Sequence, residues 1–189
     1  VRLRHVPLRR QTHGRGAHGT EEIAIEEVAV DPISQKLDTL TGQICLLCIG
    51  NPDGGDDAVG VRIGEELICE GMKNVIIAGM EPERHFARGE LDAFDHVIFI
   101  DAVDFRASPG SLVFLGAEDM TSRFAQVSTH RMSLGMLAKL VKSKGVDAWL
   151  LGIQPATLSP GWNLSESVQK AMTIAHEILI HRFHAGAAC

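Results

Sequence analysis

The chain has no apolar run long enough to cross a bilayer. Its longest continuous runs, 44-ICLLCI-49 and 97-VIFI-100, fall far below the roughly 20 residues a helical span needs. It has no basic surplus either. Its 18 Lys and Arg stand against 24 Asp and Glu, a net charge of −6, which argues against nucleic acid as the partner. There is no acid at all in residues 1–20, where Arg2, Arg4, Arg9, Arg10 and Arg15 lie, so 13 basic and 24 acidic residues remain for the rest. This first segment has no apolar core for a signal peptide; its Arg and His leave a transit peptide as a third, weaker option, since serine is missing. Residues 1–30 read as a disordered extension, basic and then acidic, with an arm that touches an acidic partner as the alternative. Cysteine is sparse, at four residues. With no export signal, free thiols in a reducing, cytoplasmic compartment are expected. Internal repeats are absent, and no linker interrupts the chain after residue 42. Residues 31–185 therefore read as one α/β domain, acting as a monomer without membrane insertion.

What is present alternates between two periods. Asp31-Pro32 reads as an N-cap followed by proline at the first helical position, opening a helix that runs to Leu40 and stops at Gly42. A strand at 43–49 follows. Then 58-AVGVRIGEELICEG-71 reads as a helix, with Val59, Ile63, Leu67 and Ile68 on its apolar face and Gly71 as its stop. A strand at 74–79, a weaker helix at about 84–93 and a strand at 96–101 come next. The turn 107-ASPG-110 introduces a hairpin-like edge strand at 111–115. Ser128 or Thr129 is expected to cap a helix ending at Gly145, before a strand at 147–154 and a last helix over 164–183. In that helix Val168, Ala171, Ala175, Ile178 and Leu179 make one stripe. Strands that are apolar on both faces and alternate with helices predict an α/β/α sandwich. Its sheet should be mostly parallel, with about five strands. The pair Cys45-x-x-Cys48 falls inside a strand, where i and i+3 point to opposite faces, so it reads as two buried hydrophobes.

In such a sheet the chemistry collects at the carboxyl ends of the strands. Here these ends carry 50-GNPDGGDDAVG-60, 79-GMEPER-84, Asp101 to Asp104, and Gly152 to Pro155, with 127-VSTHR-131 before a late helix. The glycine-rich turn at 50–60 lacks the Gly-Lys-Ser/Thr of a P-loop and the spacing of a dinucleotide site. Asp53, Asp56 and Asp57 would repel a phosphate there. The helix start can accept one of Asp56 and Asp57 as an N-cap, but capping does not require three aspartates. Asp101 ends a buried strand, where a carboxylate needs a metal ion, a hydrogen-bond network or a basic partner. With His130 as a third donor, two carboxylates and an imidazole suit a borderline divalent ion such as Ni, Zn, Fe or Mn.

The stretch 48-CIGNPDGGDDAVGVRIGEEL-67 resembles the opening of the hydrogenase maturation endopeptidases, and 98-IFIDAVDF-105 with Pro109-Gly110 resembles their second motif. Ser128-Thr129-His130 matches the third, while Pro82-Glu83 and 151-LGIQP-155 are similar to the branch that serves hydrogenase 3. The likeness runs from about residue 43 to 180. It departs at Ala78-Gly79-Met80, where many members carry Asp-Gly-Gly, and at Asp53-Gly54. The resemblance implies an aspartyl-type endopeptidase that trims the C-terminal extension of a NiFe hydrogenase large-subunit precursor. The nickel is implied to arrive with that substrate and not as a permanent cofactor. Asp57, Asp101 and His130 are the implied nickel contacts. Asp57 and Asp101 are the implied catalytic acids, with Asp56 as a helping orienter or base. Gly55, Thr129 and Gln154 are assigned to substrate contact. Two other classes fit parts of the chain: a metallohydrolase with its own divalent ion, and a phosphoacceptor signalling domain. The latter would need a late-strand lysine where Gln154 stands.

Overall fold

In a computed structural model the described residues are 26–123 and 133–183. Six helices and five strands follow in order: α1 (Glu26–Asp38), β1 (Ile44–Ile49), α2 (Val59–Cys69), β2 (Val75–Gly79), α3 (Pro82–Ala87), β3 (His96–Ala102), β4 (Leu112–Gly116), α4 (Ala117–Arg123), α5 (Leu134–Ser143), β5 (Asp147–Ile153) and α6 (Glu166–Phe183). A short 3-10 turn, Gly55–Ala58, leads into α2. The strands form one sheet in the order β2-β1-β3-β5-β4. All neighbours are parallel except β4, which lies antiparallel on β5 at the edge.

Two apolar layers cover the sheet. Ile44, Leu46 and Cys48 of β1, with Ile98 and Ile100 of β3, pack towards α1, α2 and α6. Cys45, Leu47 and Ile49, with Val97 and Phe99, pack towards α4 and α5. Period-two alternation produces this split, and it sends the two β1 cysteines to opposite cores, as their spacing predicts. The α6 stripe from Val168 to Leu179 is buried throughout. Arg182, near the end of α6, donates to the carbonyls of Leu37 and Leu40 and so ties down the C-terminal end of α1.

Some elements differ from expectation. α1 starts at Glu26, so Pro32 lies inside the helix and not at its opening. The acidic and alanine-containing segment before it is helix-compatible, and Asp31 does not stop it. Ile68, placed on the apolar face of α2, is 44 % exposed, because the stripe of Val59, Ile63 and Leu67 points away from it. The helix expected at 84–93 begins at Pro82 and ends at Ala87. The edge strand forms no hairpin with β3; its partner is β5, and α4 and α5 intervene. The cap of α5 is Ser133, whose Oγ accepts from the Met136 N–H at 3.3 Å. Ser128 and Thr129 lie outside the described residues, as do residues 1–25.

Candidate active site

The strand order locates the site. From β1 the chain moves outward to β2, then crosses back to β3 on the other side of β1. The switch point therefore falls between the carboxyl ends of β1 and β3, where ligands bind in open α/β sheets. The turn carrying Asp57 leaves β1 there, and Asp101 is the penultimate residue of β3. Asp56, Asp57 and Asp101 are 1 %, 8 % and 2 % exposed. Alternation along β3 puts Asp101 on the Phe99 face, the side covered by α4 and α5.

Close packing holds the turn against the strand ends. A Cβ on Gly60 would meet the carbonyl oxygens of Ile100 at 2.2 Å and Ile49 at 2.3 Å. Only glycine lets the first turn of α2 seat on β1 and β3 so closely. Gly50, at φ 139°, runs against the Asp57 carbonyl, which a Cβ would meet at 2.0 Å. Within the turn, Asn51 N–H donates to Asp57 Oδ2 at 3.2 Å and Asp53 N–H to Asn51 Oδ1 at 3.1 Å. Gly54 N–H donates to the Asn51 carbonyl and Asp57 N–H to that of Gly54. Neither Asp56 nor Asp57 is an N-cap. Both sit inside the 3-10 turn, which Gly54 precedes with no side-chain cap.

Asp56 reaches across to the segment between β5 and α6. Its Oδ2 accepts from Ala156 N–H (2.9 Å), Thr157 N–H (3.2 Å) and Ser165 Oγ (3.0 Å), and its Oδ1 from Ser165 N–H (2.6 Å). Gly55, at φ 61°, spends its N–H on the Gly161 carbonyl, and Gly161 N–H returns to the Asp53 carbonyl. Two loops are thereby joined around a buried carboxylate. These contacts span 100 to 109 residues, so no local pattern announces them. Ser165 alone carried a signal, as a serine just ahead of the last helix.

Gln154 is buried and turned inward. Its Oε1 accepts from Phe105 and Ala107 N–H, and its Nε2 donates to Asp104 Oδ1 and the Pro155 carbonyl. The amide thus stitches down the loop between β3 and β4, in which Arg106 adopts φ 62°. Hydrogen bonds from Arg106 N–H and Gln154 hold the Asp104 carboxyl below its ordinary value. A phosphoacceptor's lysine has no counterpart at this position. Pro82 is buried at the start of α3, and Glu83 beside it keeps one buried carboxylate oxygen with no hydrogen-bond partner among the described residues. His130 and Thr129 lie outside the described residues, and the described ones alone hold no cluster of three or more metal-ligating side chains.

Elsewhere the chemistry is thin. A cavity of about 710 Å³ opens at the amino ends of β1 and β2, lined by Gly42, Gln43, Met72 and Arg182 among others, with no carboxylate in its wall. Cys45 and Cys48 are free, fully buried thiols, and burial pushes Cys45 up to about 12 and Cys48 higher still. They are core residues and not a redox pair. No described helix is long and apolar enough to cross a membrane.

Comparison with known proteins gives the chemistry a class. The crystal structure of a NiFe hydrogenase maturation protease, HycI of Thermococcus kodakarensis, aligns at TM-score 0.68 and 27 % identity, covering 80 % of this chain and 99 % of that one. The hydrogenase 3 maturation protease of Escherichia coli K12 is 26 % identical over 136 residues, 71 % of this chain and 86 % of that protein. The hydrogenase 2 maturation protease of the same organism is 29 % identical over 147 residues, with 71 % and 87 % covered. A doubly wound α/β protein with these relatives is an enzyme, an endopeptidase. The profile of the HycI hydrogenase maturation proteases matches residues 63–182. The chain belongs to that family. The matched region begins within α2, so the acidic turn precedes it and Asp101 lies inside it.

Proposed function

We propose that this endopeptidase removes the C-terminal extension of a NiFe hydrogenase large-subunit precursor, and that it does so after nickel insertion. The observation that carries the reading is the pair of buried carboxylates, Asp57 and Asp101, at neighbouring strand ends beside the switch point. Buried carboxylates concentrate negative charge where solvent is scarce, which attracts a cation. A divalent ion held by the substrate supplies one, with His130 as the third donor. Oxygen, oxygen and imidazole suit nickel. Once docked, the substrate's nickel can polarise the scissile carbonyl or activate a water. The metal then reports completed assembly, because a tail without nickel offers the carboxylates nothing to hold. In this reading Asp56 acts by position, fixing the turn that presents Asp57. Gln154 likewise fixes the loop after β3. Gly55 and Thr129 border the tail. The enzyme works in the cytoplasm, which suits its free thiols.

The test is cleavage of a purified large-subunit precursor from the same genome, with and without nickel. Wild-type enzyme is expected to cut only the nickel-loaded form. Asp57→Ala and Asp101→Ala are each expected to abolish the cut, a loss well beyond about a hundredfold for removed contacts of this kind. If both variants process the loaded precursor at the wild-type rate, the carboxylates are not the site. Cutting of the nickel-free precursor would remove the assembly checkpoint. A stoichiometric ion in the purified enzyme alone would favour a metallohydrolase with its own metal.

A further inference from the structure

Six large apolar side chains stand exposed among the described residues: Ile68, Ile77, Met80, Met136, Leu158 and Trp162. Four of them belong to the carboxyl edge of the sheet. Met80 directly follows β2, and Leu158 and Trp162 lie in the segment after β5. Met136 is in the first turn of α5, which runs back towards the start of β5 and so begins at the carboxyl edge. Trp162 is the extreme case, at 78 % exposed. The chain's other tryptophan, Trp149, is packed. It stacks on Phe114 at 5.6 Å between centroids, donates its ring N–H to His96 and has the Lys36 ammonium 5.1 Å away. An isolated exposed apolar side chain needs no explanation, but a tryptophan exposed on a fixed backbone, next to a glycine bonded to the acidic turn, does.

The backbone under Trp162 is fixed from several sides. Its carbonyl accepts from Arg62 Nη2 on α2. Gly161, one residue earlier, exchanges bonds with Asp53 and Gly55 of the acidic turn. Asp56 grips Ala156, Thr157 and Ser165, near the two ends of the same segment. The indole therefore has little backbone entropy left to lose, and only two side-chain torsions to fix on binding. The same bonds set its position relative to Asp57. An endopeptidase that acts on a protein must bring that protein over its acidic turn, and the rim is the surface that approaching protein meets.

We propose that Trp162 is a specificity-determining residue: an aromatic anchor that seats the precursor's apolar surface beside the acidic turn, independently of the metal. This deepens the function proposed above and rests on it. The anchor binds ground state and transition state alike, so its loss is read in KM and not in kcat.

The experiment uses the full-length enzyme and the large-subunit precursor in nickel-loaded and nickel-free forms. Trp162→Ala is expected to raise KM for the loaded precursor by about tenfold or more while kcat stays within about twofold, and Trp162→Phe to recover most of the loss. Enzyme labelled with 5-fluorotryptophan shows one fluorine resonance per tryptophan, assigned with Trp149→Phe. Nickel-free precursor, bound but not cut, is expected to shift or broaden the Trp162 resonance and spare that of Trp149. An unmoved Trp149 resonance in Trp162→Ala shows that the fold is kept. A wild-type KM in Trp162→Ala overturns the proposal, whatever happens to kcat, and so does a Trp162 resonance indifferent to the precursor. Wild-type enzyme that leaves the loaded precursor uncut overturns the function itself, and the anchor with it.

Discussion

Asp56 is the residue whose removal tests most of the local physics. It is 1 % exposed and accepts three backbone N–H groups and one hydroxyl. Asp56→Ala leaves those four donors without their acceptor. Bonds to a charged group contribute about 1.5–3 kcal/mol each where water is excluded. Ala156 and Thr157 are exposed, however, so water replaces part of the loss on that side. About 1 kcal/mol per bond is the sounder figure, or about 3–4 kcal/mol in all. For a chain of this size that lowers the unfolding midpoint by about 6–16 °C. Asp56→Asn should cost less, about 2 kcal/mol. Its oxygen can still serve the three donors at Oδ2, but its amide then faces the Ser165 N–H, donor against donor. Ser165→Ala, which removes a single hydroxyl, should cost about 1 kcal/mol. Urea unfolding of the full chain at constant m-value gives the three numbers, and limited proteolysis of segment 156–163 reports whether the loop is released. An Asp56→Ala variant within about 0.5 kcal/mol of wild type, or the reverse order of the three, would refute the clamp.

Two further outcomes concern the core. Gly60→Ala should fail to fold or lose more than about 3 kcal/mol, because its Cβ would strike two strand carbonyls that cannot move aside. Gly71→Ala, with φ 89° but open space around it, should lose only about 1 kcal/mol, and equal losses at the two sites in urea unfolding would contradict the packing of α2. The buried thiols make the native state sensitive to alkali. Unfolding lets Cys45 and Cys48 ionise from their ordinary value of 9.0, while the folded chain holds Cys45 neutral to about 12. The unfolded state then binds fewer protons, and stability falls between those pH values by up to about 1.4 kcal/mol per pH unit for each thiol. A Cys45→Ala/Cys48→Ala variant should lose that slope. An unchanged slope, or alkylation of either thiol in the native protein, would show that they are not sealed.

The sheet was legible because its signal is local. Runs such as ICLLCI and VIFI suit strands buried on both faces, and Gly71 and Gly145 do end their helices, at φ 89° and 85°. Some misses had a local signal too. Leu134, Leu137, Ala138 and Val141 form the buried stripe of α5, and Ser133 stands immediately before it, a better-placed cap than Ser128 or Thr129. Other features had none. The partner of β4 is decided by which edge of the sheet remains open, a property of the whole topology. Asp56 and Asp57 are neighbours of one type in one turn. One bonds a loop a hundred residues on, and the other bonds Asn51 within its own turn. Their different surroundings arise only when α2 seats on the strand ends, and no spacing encodes them. Gln154 shows the same limit: the residue lies at the strand end the sequence indicates, yet its amide is spent on the loop after β3.

The acidic turn keeps the plan of an anion-binding loop, with a strand, a tight glycine turn and a helix start, but not its function. An anion loop leaves its amides free for the ligand. Here the N–H groups of Asn51, Asp53, Gly54, Gly55 and Asp57 all bond within the turn or to Gly161. Those five donors are spent before any ligand arrives, and the same turn carries two buried carboxylates, Asp56 and Asp57. A phosphate would lose its hydration, find those amides taken and meet like charge. In the proposed function a cation would meet the opposite balance, with Asp57 held in place by the bond that consumes the Asn51 amide. The glycines make the turn tight, the internal bonds make it rigid, and the aspartates make it negative.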